Sequence, residues 1–231
     1  MAVSVTTFDQ RLLRTRRKTI RELKPDILWD ANYGIDVADG ARVSSWTPVI
    51  GTGTLAHETA DNQPRWLQHG IGQQAAVLFA GGQYLYGHVA PLVGSLGTVA
   101  MMVQLTSTTG EQVALSGYDN SDASYYLDLG VNNNKIQIRS SDPGSDAVYG
   151  GTSLGTTKHT LIYTTNEAGT AWRLFADGSE ESLTVLYDEN SGKWFGDVAG
   201  IDYFTIGAYR NAGARSFTGY IAYIAGWNKL L

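Results

Sequence analysis

The sequence predicts an all-β protein, a sandwich of two antiparallel sheets carried behind a short N-terminal helical arm. Three observations predict this. Beyond Pro25, segment after segment places an apolar residue at every second position, the pattern of strands with one face buried. Twenty-seven glycines, with clusters of Asn and Asp, break those segments at short intervals as turns do. Only the stretch before Pro25 carries its apolar residues at the helical period.

From Asp9, a suitable N-cap, to Lys24 there is no glycine, and Pro25 forces a stop. Phe8, Leu12, Leu13, Ile20 and Leu23 fall within one stripe of roughly 140°, with Arg16 intruding on it. Residues 1–25 hold seven basic side chains against two acidic ones, net +5, which leaves ten basic against twenty acidic in the rest, net −10. Three readings of this arm stay open: a docking helix for a partner protein, a nucleic-acid tail, or a solvated extension. The apolar stripe and the acidic body, which repels nucleic acid, favour protein docking through Phe8, Leu12, Leu13, Arg14, Arg17, Ile20 and Leu23. Self-association through the same stripe would make a homo-oligomer.

At 231 residues, 43% hydrophobic and 17% charged, one all-β domain can bury a sizeable core. There is no cysteine, which excludes a disulfide framework and thiolate metal ligation. No run of about 18 apolar residues and no apolar leader occurs, so neither membrane insertion nor a signal peptide is expected, and the chain should be soluble before assembly.

The clearest strand is Thr98 to Thr106, where Val99, Met101, Val103 and Leu105 share a face. Tyr125, Leu127 and Leu129 oppose Tyr126 and Asp128, and Ile136 and Ile138 oppose Gln137 and Arg139. With Asn132, Asn133 and Asn134 between, these form a hairpin. Further strands are predicted at Gln74–Ala80, Gln112–Tyr118, Lys158–Thr165, Thr170–Asp177, Leu183–Tyr187, Tyr203–Ala208 and Thr218–Trp227, whereas Ser140–Thr157 reads as loop. The Asp188–Gly200 region is expected to hold at most a short turn.

Several ordered segments resemble the concanavalin A-like, laminin-G-type jelly-roll family over nearly the whole span from Ile27. These are Ile27-Leu28-Trp29-Asp30-Ala31, Val43-Ser44-Ser45-Trp46, Ala75 to Leu85, Lys158 to Tyr163, Trp172 to Gly178, Ile206-Gly207-Ala208 and Phe217 to Ile224. The resemblance implies an arm over 1–25 and a jelly-roll sandwich over 26–231, with Ile27–Asp30 paired to the region around Ile221–Trp227. Trp46-Thr47-Pro48-Val49 lacks the family's usual aspartate after the tryptophan, and Phe79-Ala80-Gly81 replaces Phe-Asp-Gly, so an inherited calcium site is not expected. Such modules behind a helical arm are similar to those on tailed-phage virions. The resemblance therefore implies a location on the phage particle surface, with virion or assembly proteins as partners of the arm and a role in host attachment.

Chemistry in the sequence is sparse. The ExDxxE pattern of sandwich-fold glucanases is absent, and the adjacent pairs Glu180-Glu181 and Asp188-Glu189 would point to opposite faces of a strand. His57, His69, His88 and His159 lack metal-site spacing, and no nucleophile elbow or phosphate loop occurs. No catalytic residue, metal or cofactor is expected. Asp119 to Asp122 and Asp142 to Asp146 could offer hard oxygen ligands, but such sequences equally form Asx turns. Glycan stacking would use Tyr118, Tyr149, Trp194 and Tyr209 beside Asp119, Asp146, Lys193 and Arg210. Trp29, Trp46 and Trp227 are assigned to the core, and Trp66 and Trp172 to strand packing. The function expected is a non-catalytic adhesion module; the alternatives are a carbohydrate-active hydrolase of the same fold and a structural capsid or tail component without ligand.

Overall fold

A computed structural model describes residues 18–89, 91–142, 144–210 and 214–231. A short helix, α1 (Lys18–Glu22), precedes β1 (Ile27–Asp30), β2 (Ser45–Trp46), β3 (Leu55–Ala56), β4 (Arg65–Ile71), β5 (Gln74–Ala80) and β6 (Leu85–Gly87). The middle supplies β7 (Thr98–Leu105), β8 (Glu111–Tyr118), β9 (Tyr126–Asn132), β10 (Lys135–Ser141) and β11 (Ser145–Tyr149). The chain ends through β12 (Lys158–Thr165), β13 (Trp172–Ala176), β14 (Ser179–Glu180), β15 (Thr184–Tyr187), β16 (Tyr203–Ile206) and β17 (Thr218–Trp227).

The strands form two sheets. One runs β14-β13-β12-β7-β17-β5-β4, with β1 also paired to β17; the other runs β15-β11-β10-β9-β8-β16-β6-β3-β2. The expected pairing of first and last strands is present, antiparallel, with Ile27 opposite Gly226 and Asp30 opposite Tyr223. Between the sheets the alternating residues meet: Val99, Met101 and Val103 from β7, Leu127, Leu129 and Val131 from β9, Ile136 and Ile138 from β10, and Ile221 and Ile224 from β17. Trp29, Trp46, Trp172 and Trp194 are buried in the same core.

The β9–β10 hairpin turns on Asn133 and Asn134, both in the left-handed region at φ 46° and 70°, the geometry of a two-residue turn that suits asparagine. The turn sets a register in which Asp128 faces Arg139. Two readings need correction. Ser140–Thr157 is not all loop, since β10 continues to Ser141 and Ser145–Tyr149 pairs along it as β11. Serines concealed that extension, because Ser140 lies buried on the core side among apolar neighbours and breaks the expected alternation. The strand expected from Thr170 begins at Trp172, because Asn166 accepts the N–H groups of Thr170 and Ala171 and holds a turn there.

Helix α1 ends at Glu22, and Lys24 takes φ 51° just before Pro25. The Asp9 cap and the earlier arm residues, Phe8, Leu12, Leu13, Arg14 and Arg17, lie outside the described residues. No helix among the described residues is long and apolar enough to cross a membrane.

Trp172 joins several of these elements. Its indole N–H donates to the Lys193 carbonyl at 2.7 Å, and the Asn190 side chain bonds both its backbone N–H and its carbonyl. Trp172→Ala should therefore lower stability by about 3–5 kcal/mol, read from the urea midpoint of unfolding.

Candidate functional site

Side chains that alternate outward from the nine-stranded sheet do not all meet solvent. Gly207, at φ 95°, follows β16 with its Cα so close to Phe79 that a Cβ would lie 2.3 Å from the ring, a turn that requires glycine. The chain then folds back as a flap. The Tyr209 N–H donates to the Ala214 carbonyl at 2.9 Å, and the Val113 N–H to the Arg215 carbonyl at 2.8 Å.

This flap presses Arg215 onto the sheet. Its guanidinium lies 3.8 Å from the Tyr209 ring centre and 5.5 Å from that of Tyr126, while Tyr209 meets Tyr126 edge to face at 4.9 Å. The same Nη1 donates to Glu111 Oε1 and to Asp128 Oδ2, each at 3.2 Å. Asp128 also accepts the Ser116 hydroxyl at 2.7 Å. Across the hairpin, Arg139 donates to Glu111 Oε2 at 3.4 Å and stacks over Tyr187 at 5.1 Å and Tyr126 at 5.6 Å. Arg210 lies over Tyr118 at 5.3 Å and Tyr209 at 6.0 Å. Three guanidiniums, four tyrosine rings and two carboxyls thus share one face.

Burial dominates the Asp128 carboxyl, which is 3% exposed. Loss of hydration pushes its pKa up to about 7, against the pull of Arg215 and the Ser116 hydrogen bond. Burial works against the charge of Arg215, but Asp128 and Glu111 outweigh it and raise its pKa. The face continues past Tyr118 to Tyr203, 5.8 Å away between ring centres, and then to His88, 5.2 Å further. Beyond these, His57 packs against Tyr84 and Tyr86, and burial lowers its pKa.

Of the residues expected to bind a ligand, Tyr118, Asp119, Tyr209 and Arg210 are brought together, whereas Lys193 and Trp194 are not. Tyr118 and Trp194 are fully buried, which corrects their assignment as exposed stacking platforms. Desolvation pushes the Tyr118 hydroxyl up to about 12. Trp194 is the apolar anchor of a glycine- and serine-containing loop and packs edge to face on Phe195 at 5.3 Å. Tyr149 lies on the same sheet under the Lys135 ammonium at 5.1 Å. The Asp119 carboxylate accepts the Ser121 hydroxyl and the N–H groups of Ser121 and Asp122, an Asx turn that lowers its pKa. Lys193 is spent on the Asp142–Asp146 loop: its ammonium donates to the Asp142 carbonyl at 3.3 Å and pairs with the carboxylates of Asp142 and Asp146 at 3.9 and 3.8 Å. Among the described residues no group of His, Asp and Glu side chains is arranged to hold a metal.

Glu111, Tyr126, Asp128, Arg139, Tyr187 and Arg215 were missed as site residues. Part of the signal was present. The polar positions of an apolar hairpin, Asp128 and Arg139, fall opposite each other once the Asn-Asn turn is counted. Arg215 reaches them from a sequence separation of 87 residues, which no local pattern reports.

No family model matches the sequence, and no curated protein matches it. Solved structures do share the fold. The CBM40 module of the Ruminococcus gnavus IT-sialidase, solved bound to α2,3-sialyllactose, matches at TM-score 0.57 and 18% identity, over 68% of this chain and 91% of that one. A Trypanosoma rangeli sialidase matches at TM-score 0.57 and 14% identity, over 89% of this chain but 30% of that one. The NanB sialidase of Streptococcus pneumoniae matches at TM-score 0.52 and 15% identity, over 68% of this chain and 26% of that one. At these identities the likeness shows a common jelly-roll sandwich.

The Asp128 carboxyl makes stability depend on pH. Unfolded, it loses its proton near 3.8; folded, it keeps the proton to about 7. Between these values the folded state holds the extra proton, so this group's contribution, complete below pH 3.8, is lost as pH rises to about 7. Urea midpoints measured from pH 4 to 8 should fall more steeply for the natural protein than for Asp128→Asn. Parallel curves would show that Asp128 does not titrate in this window.

Proposed function

We propose that the domain is a non-catalytic glycan-binding module whose ligand lies on the outer face of the nine-stranded sheet, with acidic sugars preferred. One observation carries the reading: on that face Arg139, Arg210 and Arg215 are stacked on tyrosine rings around Glu111 and Asp128. Tyrosine rings offer a sugar's C–H groups a flat apolar surface, while guanidinium and carboxylate groups bond its hydroxyls. Three guanidiniums meet three carboxyls, Glu111, Asp128 and the Asp119 beside Arg210, and with Asp128 pushed toward neutrality a small positive excess remains, which suits a carboxylate-bearing sugar. The shared fold with a CBM40 module bound to sialyllactose supports this reading. Tyr187, with 45% of its surface exposed, and the half-buried Arg210 are the accessible ends of the cluster.

A second reading, glycoside hydrolysis, has one observation in its favour. Glu111 Oε1 and Asp128 Oδ2 flank the same Arg215 nitrogen, and hydrolysis needs two carboxyls about 5 to 9.5 Å apart. The acid of such a pair must reach the glycosidic oxygen. Asp128 lies beneath Arg215, Tyr126 and Tyr209, with its oxygens already bonded, which favours binding over catalysis.

A glycan array carrying sialylated and neutral oligosaccharides, followed by titration calorimetry on the strongest ligand, tests both readings. Tyr187→Ala and Arg210→Ala should each weaken binding by about tenfold, a loss of about 1.4 kcal/mol, without lowering the melting temperature. Silence across the array, or affinities untouched by both variants, would sink the binding reading. Release of reducing sugar that disappears in Glu111→Gln would establish the hydrolase instead.

A further inference from the structure

Beyond Arg210 the outer face of the nine-stranded sheet carries a second accessible patch, which the arginine cluster does not use. Cross-strand register builds it. Tyr203 of β16 stands directly opposite Tyr118 of β8, and two residues along, Thr205 stands opposite Tyr86 of β6, so these side chains share one face. Tyr118 is buried beneath the Arg210 guanidinium, but Tyr203 and Tyr86 are half-buried, and His88, just past β6, is exposed.

Two of these rings form a corner. His88 meets Tyr203 with ring centres 5.2 Å apart and planes at 76°, so one ring offers a floor and the other a wall. Beside them His88 Nε2 and Asp202 Oδ2 stand 3.9 Å apart, on side chains 72% and 42% exposed. That gap is too long for a direct hydrogen bond, but a hydroxyl oxygen about 2.8 Å from each atom can bond both. Asp202 brings a carboxylate and no arginine or lysine joins the corner, which therefore suits a neutral sugar rather than a second acidic one.

The spacing from corner to guanidinium is fixed by the backbone. Arg210 Nη2 donates to the Asp119 carbonyl at 3.3 Å, and the N–H of the next residue, Asn120, donates to Asp202 Oδ1 at 3.1 Å. The Asp202 N–H donates in turn to the Tyr118 carbonyl at 3.2 Å. One short turn thus ties the two together, with the Tyr118 ring, 5.8 Å from that of Tyr203, between them.

We propose that the His88–Tyr203–Asp202 corner is a second subsite, taking a neutral sugar joined to the acidic sugar held at Arg210. The inference rests on the glycan-binding reading and narrows its ligand to an oligosaccharide in which an acidic unit is followed by at least one neutral one. The two rings receive the C–H surface of the neutral sugar, and Asp202 accepts a hydroxyl. Because that sugar is already tethered to the acidic one, its contacts add affinity without a further loss of translational freedom.

Titration calorimetry on the full chain tests this with two matched pairs of probes: the methyl glycoside of sialic acid against sialyllactose, and the methyl glycoside of glucuronic acid against glucuronosyl-xylobiose. For at least one acid the oligosaccharide should bind about tenfold more tightly than the glycoside. His88→Ala and Tyr203→Ala should each remove several-fold of that gain and leave the affinity for the glycoside unchanged. His88 is exposed, so its variant reads the corner even if Tyr203→Ala fails to fold. Equal affinities within both pairs, a gain that survives His88→Ala, or an equal loss for glycoside and oligosaccharide would overturn the second subsite while glycan binding stands. Silence toward all four probes would overturn it together with the reading on which it rests.

Discussion

The pairing of β17 with β7 is the constraint on which the rest of the molecule depends. β17 is the longest strand, and it pairs with β7 along one side and with both β5 and β1 along the other. The last strand of the chain therefore closes a ladder with the first. Because side chains alternate across a strand, this one arrangement commits Ile221 and Ile224 to the core between the sheets and Tyr223, Ala225 and Trp227 to the opposite face. A one-residue slip would exchange these two sets. The bulge between Ile221 and Tyr223 in the pairing with β7 adds one residue to the alternation, so that Ile221 and Ile224, three positions apart, both face the core.

Both outer faces depart from the wet surface that a sandwich ordinarily presents, in chemically opposite ways. On the eight-stranded sheet the excess is apolar and belongs to packing. On the nine-stranded sheet it is polar: Asp128 is buried by a flap whose arginine bonds it, and the cost of burying that carboxyl is offset by Arg215, Ser116 and Arg139. Every hydrogen bond that satisfies Asp128 also fixes the position of a flap residue or a neighbouring strand. A surface used for recognition needs such fixed geometry, since aromatic rings and guanidiniums that are already held lose little freedom when a ligand arrives.

The hairpin from Tyr126 to Ser141 was legible in detail. Alternation identified its faces and the asparagines marked its turn, but Asn132 belongs to β9, and the shorter Asn133-Asn134 turn is what places Asp128 opposite Arg139. Tyr118 and Trp194 were misread because aromatic residues beside polar turn sequences look exposed along the chain. Their burial comes from elements remote in sequence, Arg210 over one and the inter-sheet core around the other. The Lys193 ammonium pairs with carboxylates about fifty residues away in the chain, neighbours that no local pattern reports.

Sequence alone determined the class of fold, most strand positions, the pairing of the first and last strands and the charge contrast between arm and body, because these follow from periodicity, turn chemistry, composition and the ordered motifs of a family. Tertiary structure decided which polar residues meet, which aromatics are covered and which carboxyl is held near neutrality. These depend on distances between strands far apart in the chain, and on the burial that results, and local pattern encodes neither.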